Sequence, residues 1–116
     1  MAEKRYEDEQ TLVELFFARD ERALSIVQSR YGNYLFCLSG NWLNSREERE
    51  ECVNDVLFAA WNAIPPARPH CMKAFLAALL RRTAINIYNK IHAEKRKAEK
   101  LAAEANKANQ GELALF

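Results

Sequence analysis

Apolar residues recur at three- and four-residue intervals through most of the chain, the spacing that lines one face of an α-helix. Leu12, Leu15 and Phe16 form a short stripe that predicts a first helix from near Glu7 to about Arg19, placed as a flap on the main body. Asp20 suits the cap of a second helix over residues 21–43, in which Leu24, Val27, Tyr31, Leu35, Leu38 and Trp42 repeat at helical spacing. Gly32 and Gly40 weaken that helix by about 1 kcal/mol each without having to stop it. Tyr31, Tyr34 and Trp42 suit core and edge packing. Ser45 and Glu48 stand at capping-box spacing, which starts a third helix at Arg46. Its buried side is Val53, Val56, Leu57, Ala60, Trp61 and Ile64; its other side carries Glu51, Asn54, Asp55 and Phe58. Pro65, Pro66 and Pro69 exclude helix and make a stiff loop. A long helix follows from about Cys71 to at least Arg96. Phe75, Leu76, Leu79, Leu80, Thr83, Ile87 and Ile91 lie on one arc, and Arg81, Arg82, Ile85, Tyr88, Asn89 and His92 on the other. Residues 97–110 lack an apolar stripe and read as a fraying helix or flexible linker.

The expected fold is therefore all-α: a small bundle of about four helices with a long basic C-terminal helix. At 116 residues the chain is long enough for one core. We place a helical domain at residues 1–96, then a linker or the start of a further domain at 97–116, because ELALF ends abruptly.

Charge changes the picture. The formal net charge is only +1, yet residues 81–100 hold seven Lys or Arg against two Glu, a local +5. Residues 1–20 and 41–60 each sum to −3. Cations interleaved with Asn and an aromatic ring can serve phosphates, base edges and base stacking, although a solvated basic face would read the same way. The acids of the third helix, grouped around Phe58, suit a basic partner with an apolar patch, or solvent.

Cys37, Cys52 and Cys71 have no CxxC spacing and read as reduced, mostly buried thiols of a cytoplasmic protein. No secretory leader and no apolar run of membrane-spanning length is found. His70 and His92 are too far apart for a local ligand pair. No acid pair, nucleophile set, phosphate loop or metal spacing is present, so neither an enzyme, a cofactor, a metal nor a small-molecule substrate is expected.

Two stretches resemble the bacterial RNA polymerase sigma factors, specifically the promoter-melting domain of the extracytoplasmic-function group. Its acidic helix, of the form E-D-x-V-Q-E-x-F-x-x-A-W, is similar to residues 50–61, EECVNDVLFAAW. The following helix, A-[FW]-L-x-x-[IL]-x-R-N-x-A-I-[DN]-x-[YL], is similar to residues 74–88, AFLAALLRRTAINIY. The W-N-x-I-P-P-x-R-P linker, Trp61 to Pro69, looks like a subgroup of the same proteins, and the similarity runs from about Thr11 to Arg96. Two positions depart: Arg82 stands where Asn is common and Ala77 where an aromatic is common.

The resemblance implies that Glu51, Asn54, Asp55 and Phe58 dock on the coiled coil of the polymerase β′ subunit. It implies that Arg81, Arg82, Asn86, Asn89 and Lys90 contact the non-template strand of the −10 promoter element. A base would enter a pocket of the loop region, with Asn62, Arg68 and His70 around it. An anti-sigma factor is a further partner of that class. The alternative is a helical protein-interaction module that keeps the fold and a polymerase or anti-sigma contact without strand recognition. The helix-turn-helix domain such proteins also carry has no counterpart in these residues.

Overall fold

The computed structural model describes the backbone of residues 2–114 and the side chains of residues 9–106. Among the described residues there are four helices: α1 (Ala2–Phe17), α2 (Arg22–Ser39), α3 (Arg46–Ala63) and α4 (Met72–Ala114). The all-α bundle with a long last helix is the architecture the periodicity predicts. Helix α3 packs on both α2 and α4, α2 also touches α4, and α1 rests on α2.

The core is continuous across all four helices. Phe16, Leu35, Ile64, Met72, Leu76 and Leu80 are among its fully buried members. Each such side chain removed from water is worth about 1.5–3 kcal/mol. Met72 and Ala84 are buried beside the predicted stripe of α4, while Phe75, Leu79, Ile87 and Trp61 pack at its margin, half-buried.

Two boundaries differ from expectation. First, α1 starts at Ala2 and is part of the bundle rather than a flap, because Leu12, Val13 and Phe16 are buried in the common core. Second, α2 ends at Ser39. The next amides bond back over short spans, from Gly40 to Cys37 and from Trp42 to Ser39, and this tight turn drops Leu43 into the core. A Cβ on Gly40 would lie 3.1 Å from Cζ of Arg49, whose Nε donates to the carbonyl of Leu43 at 3.0 Å. A Cβ there would be a tight contact, so the guanidinium would have to give by a few tenths of an ångström. Helix α4 continues through residues 97–110, the helical one of the two readings of that stretch. Ala, Glu and Lys propensity favours helix there without any packing partner. The side chains of the terminal ELALF lie outside the described residues.

Ser45 caps α3 as predicted: its side chain accepts the Glu48 amide at 3.1 Å. Helix α3 ends at Ile64, whose peptide bond to Pro65 is cis, as is that from Pro65 to Pro66. Arg19 makes the other junction. Its φ is +57°, and the Arg19 and Asp20 amides bond back to the carbonyls of Phe16 and Leu15, a Schellman closure with Arg in the place glycine usually takes. Arg19 Nη1 donates to the carbonyls of Trp61 at 2.8 Å and Ile64 at 2.9 Å, and its guanidinium lies 3.7 Å from the Trp61 ring centre. The end of α1 is thereby clasped to the end of α3.

Candidate nucleic-acid and partner-binding surfaces

The outward side of α3 holds Glu51, Asn54, Asp55 and Phe58, all exposed. They lie together because α3 turns Cys52, Val53, Val56, Leu57 and Ala60 inward, leaving the intervening positions to solvent. Phe58 is 68% exposed, far more than a ring of that size needs for packing. Between α2 and the first half of α3 runs an open groove of about 900 Å³, lined by Asn33, Phe36, Asn44, Arg46, Arg49 and Asn54 among others. Arg46 pairs with Glu50 one turn on.

On α4, Arg81, Arg82, Asn86, Asn89 and Lys90 are all exposed. At about 100° per residue, Arg81, Asn89 and Arg82 share one stripe, while Asn86 and Lys90 lie further round the cylinder. On the stripe's other flank the rings of Tyr88 and His92 approach to 4.1 Å between centres, and Tyr88 is 43% exposed. Thr83 faces the other way and returns its hydroxyl to the Leu79 carbonyl at 2.8 Å.

The loop residues do not act as one group. Arg68 and His70 line a cavity of about 240 Å³, but its other walls are Glu9, Gln10, Val13 and Glu14 of α1, together with Pro69. Asn62 is exposed on the last turn of α3 and does not line it. The guanidinium of Arg68 lies 4.0 Å from the Phe17 ring centre, which holds it against α1. Sequence periodicity could not have found the α1 wall, since it depends on where a distant helix docks. Lys73 over the Tyr34 ring, 4.5 Å from its centre, is another contact between distant segments that no local pattern signals.

The thiols differ from expectation. Only Cys52 is buried; Cys37 and Cys71 are exposed, each on a residue outside the core stripe of its segment. Burial, with Asp55 and Glu51 nearby, pushes the Cys52 thiol up to about 11, so it stays protonated and inert. Burial also raises the Tyr31 hydroxyl, with Glu9 adding to the effect. Among the described residues, no group of three His, Cys, Asp or Glu side chains could hold a metal ion, and no helix is long and apolar enough to cross a membrane.

No family model matches the chain, and neither does any curated protein or solved structure.

Proposed function

We propose that this chain is a transcription-initiation domain of the sigma-factor type, with α3 docking on the β′ coiled coil of RNA polymerase and α4 holding the non-template strand of the −10 element. The observation that carries the reading is the pairing of two separate outward surfaces on one bundle: acids around the exposed Phe58 on α3, and cations with Asn89 and the exposed Tyr88 on α4. Each has the chemistry its partner requires. The α4 surface offers positive charge for phosphates and rings for unstacked bases, so that stacking and counterion release offset the few kcal/mol that unstacking costs. The α3 surface offers an apolar anchor with acids on its N-terminal side, the composition of a protein interface rather than of a phosphate-binding one.

One observation favours the second reading, a protein-interaction module without strand recognition. The loop cavity carries Glu9 and Glu14 on its α1 wall, and carboxylates there oppose the approach of a phosphodiester strand.

Binding of single-stranded −10-type DNA, measured by anisotropy across a salt series, separates the two. Strand recognition gives an affinity that falls with log salt at about −0.7 per phosphate contacted. Arg81→Glu with Arg82→Glu then abolishes strand binding and leaves capture by a β′ coiled-coil fragment intact, and Glu51→Lys with Asp55→Lys does the reverse. An absence of strand affinity at low salt, with β′ capture retained, selects the interaction module. If both double variants weaken both partners equally, the assignment of two surfaces fails.

A further inference from the structure

The cavity between α1 and the proline loop has walls of unlike charge. Glu9 and Glu14 line it from α1, with Gln10 beside them, and Arg68 and His70 line it from the loop, around a volume of about 240 Å³. Val13, which is buried, and Pro69, which is half-buried, supply the apolar part of the lining. Burial and, after it, the charge of Glu9 raise the Tyr31 hydroxyl, so the Glu9 carboxylate is turned toward the bundle rather than out into solvent.

Opposite charges that line one cavity ordinarily close on each other. Here they do not: among the described residues, no ion pair joins either carboxylate to Arg68 or His70. The Arg68 guanidinium lies 4.0 Å from the Phe17 ring centre instead, a contact that holds it against α1 and leaves its N–H groups available. A guanidinium held in place in this way loses little further freedom when it receives a carboxylate.

A gap between unpaired charges of opposite sign selects its occupant. The carboxylates refuse a polyanion, and a metal ion finds no set of three His, Cys, Asp or Glu ligands. A simple amine suits only the α1 wall, and a simple carboxylate only the loop wall. A small molecule that carries both an ammonium and a carboxylate satisfies the two together through charge-assisted hydrogen bonds, with its carbon chain against Val13 and Pro69. Size agrees: a cavity of about 150 Å³ takes benzene, so this one has room for about ten non-hydrogen atoms.

We propose that the cavity between α1 and the loop is a binding site for a small zwitterion of the amino-acid type, its ammonium on Glu9 and Glu14 and its carboxylate on Arg68, with His70 as a further donor. The bound molecule bridges α1 to the loop and closes this part of the loop to any other guest, a nucleic-acid base included. The site needs no partner on α3 or α4.

The test is titration calorimetry of the full chain, without nucleic acid or polymerase, against β-alanine, γ-aminobutyrate and ε-aminocaproate at up to about 20 mM, with butylamine and butyrate as probes of each end alone. At least one of the three zwitterions is expected to bind about tenfold or more tighter than either single-ended probe, the gain of one further charge-assisted contact, and to raise the thermal unfolding midpoint. Glu9→Gln with Glu14→Gln is expected to lower its affinity to that of butyrate, and Arg68→Gln to that of butylamine. Glu14 and Arg68 are exposed, and unchanged circular dichroism confirms that the variants fold. The proposal is overturned if none of the three zwitterions binds, if butylamine binds as tightly as all of them, or if neither variant weakens the binding.

Discussion

Arg19 holds a backbone conformation that costs a residue with a side chain about 1–2 kcal/mol relative to glycine. It is retained because the side chain that makes the turn costly also caps the last carbonyls of α3 and stacks on Trp61. The two effects separate by substitution. Arg19→Ala keeps the strained turn and loses the clasp, and it is expected to lower stability by about 2–3 kcal/mol in urea unfolding. Arg19→Gly loses the clasp but relieves the turn, and its loss is expected to be smaller by about 1 kcal/mol. Equal losses would mean that the turn stores no strain. Nothing in the sequence marks this residue. It follows an apolar stripe as a basic residue commonly does near a helix end, and its partners lie more than forty positions away. Arg49 is hidden for a similar reason: its reach to the Leu43 carbonyl passes close to Gly40, and that glycine reads in the sequence only as a weak point in α2.

At the scale of the helix, the sequence is most legible where a local rule acts without competition. Ser45 and Glu48 fix the start of α3 because a capping hydroxyl satisfies an otherwise unpaired amide within one turn. Ser45→Ala is expected to cost about 1 kcal/mol, read as a lower unfolding midpoint in denaturant with an unchanged slope. The inward and outward sides of α3 and α4 were legible for the same reason, since burial imposes its period directly on the residues: Val56 and Leu80 are buried, and Phe58 and Arg81 are exposed. Where several weak preferences compete, the reading fails. The stop of α2 depends on a turn that inserts Leu43 into a core the sequence does not display, and α1 looks like a flap until Phe16 is seen beside Trp61, 6.1 Å between ring centres. The cavity beside the loop follows the same logic: Arg68 and His70 could be named from the sequence, but Glu9 and Glu14, which set its charge, could not.

Taken whole, the molecule is a bundle with a mast, 80 Å along its long axis and 24 by 19 Å across. Packing belongs to the bundle alone. Among the described residues, all the buried ones lie between Leu12 and Ala84, whereas residues 92–106 are exposed throughout and carry Lys95, Arg96, Lys97 and Lys100 together with Glu94, Glu99 and Glu104. A chain ending after Ala93 is therefore expected to keep its unfolding free energy within about 0.5 kcal/mol, the range of surface changes that disturb no packing. The amides of residues 95–106 are expected to exchange with solvent far faster than those around Leu80, because opening there breaks no tertiary contact. A loss of several kcal/mol on such shortening would show that the overhang folds back on the bundle in solution.

Helix α4 passes from bundle to mast without a proline or glycine between Met72 and Asn106, so the two parts share one axis and one rotational setting. Adding a single residue near Ala93 would turn everything beyond it by about 100° and exchange the bearing of its cationic and aliphatic flanks, whereas seven added residues would restore the original bearing to within about 20°. The bundle thus dictates the compass direction in which the mast shows each flank, much as a keyed shaft fixes the angle of a cam.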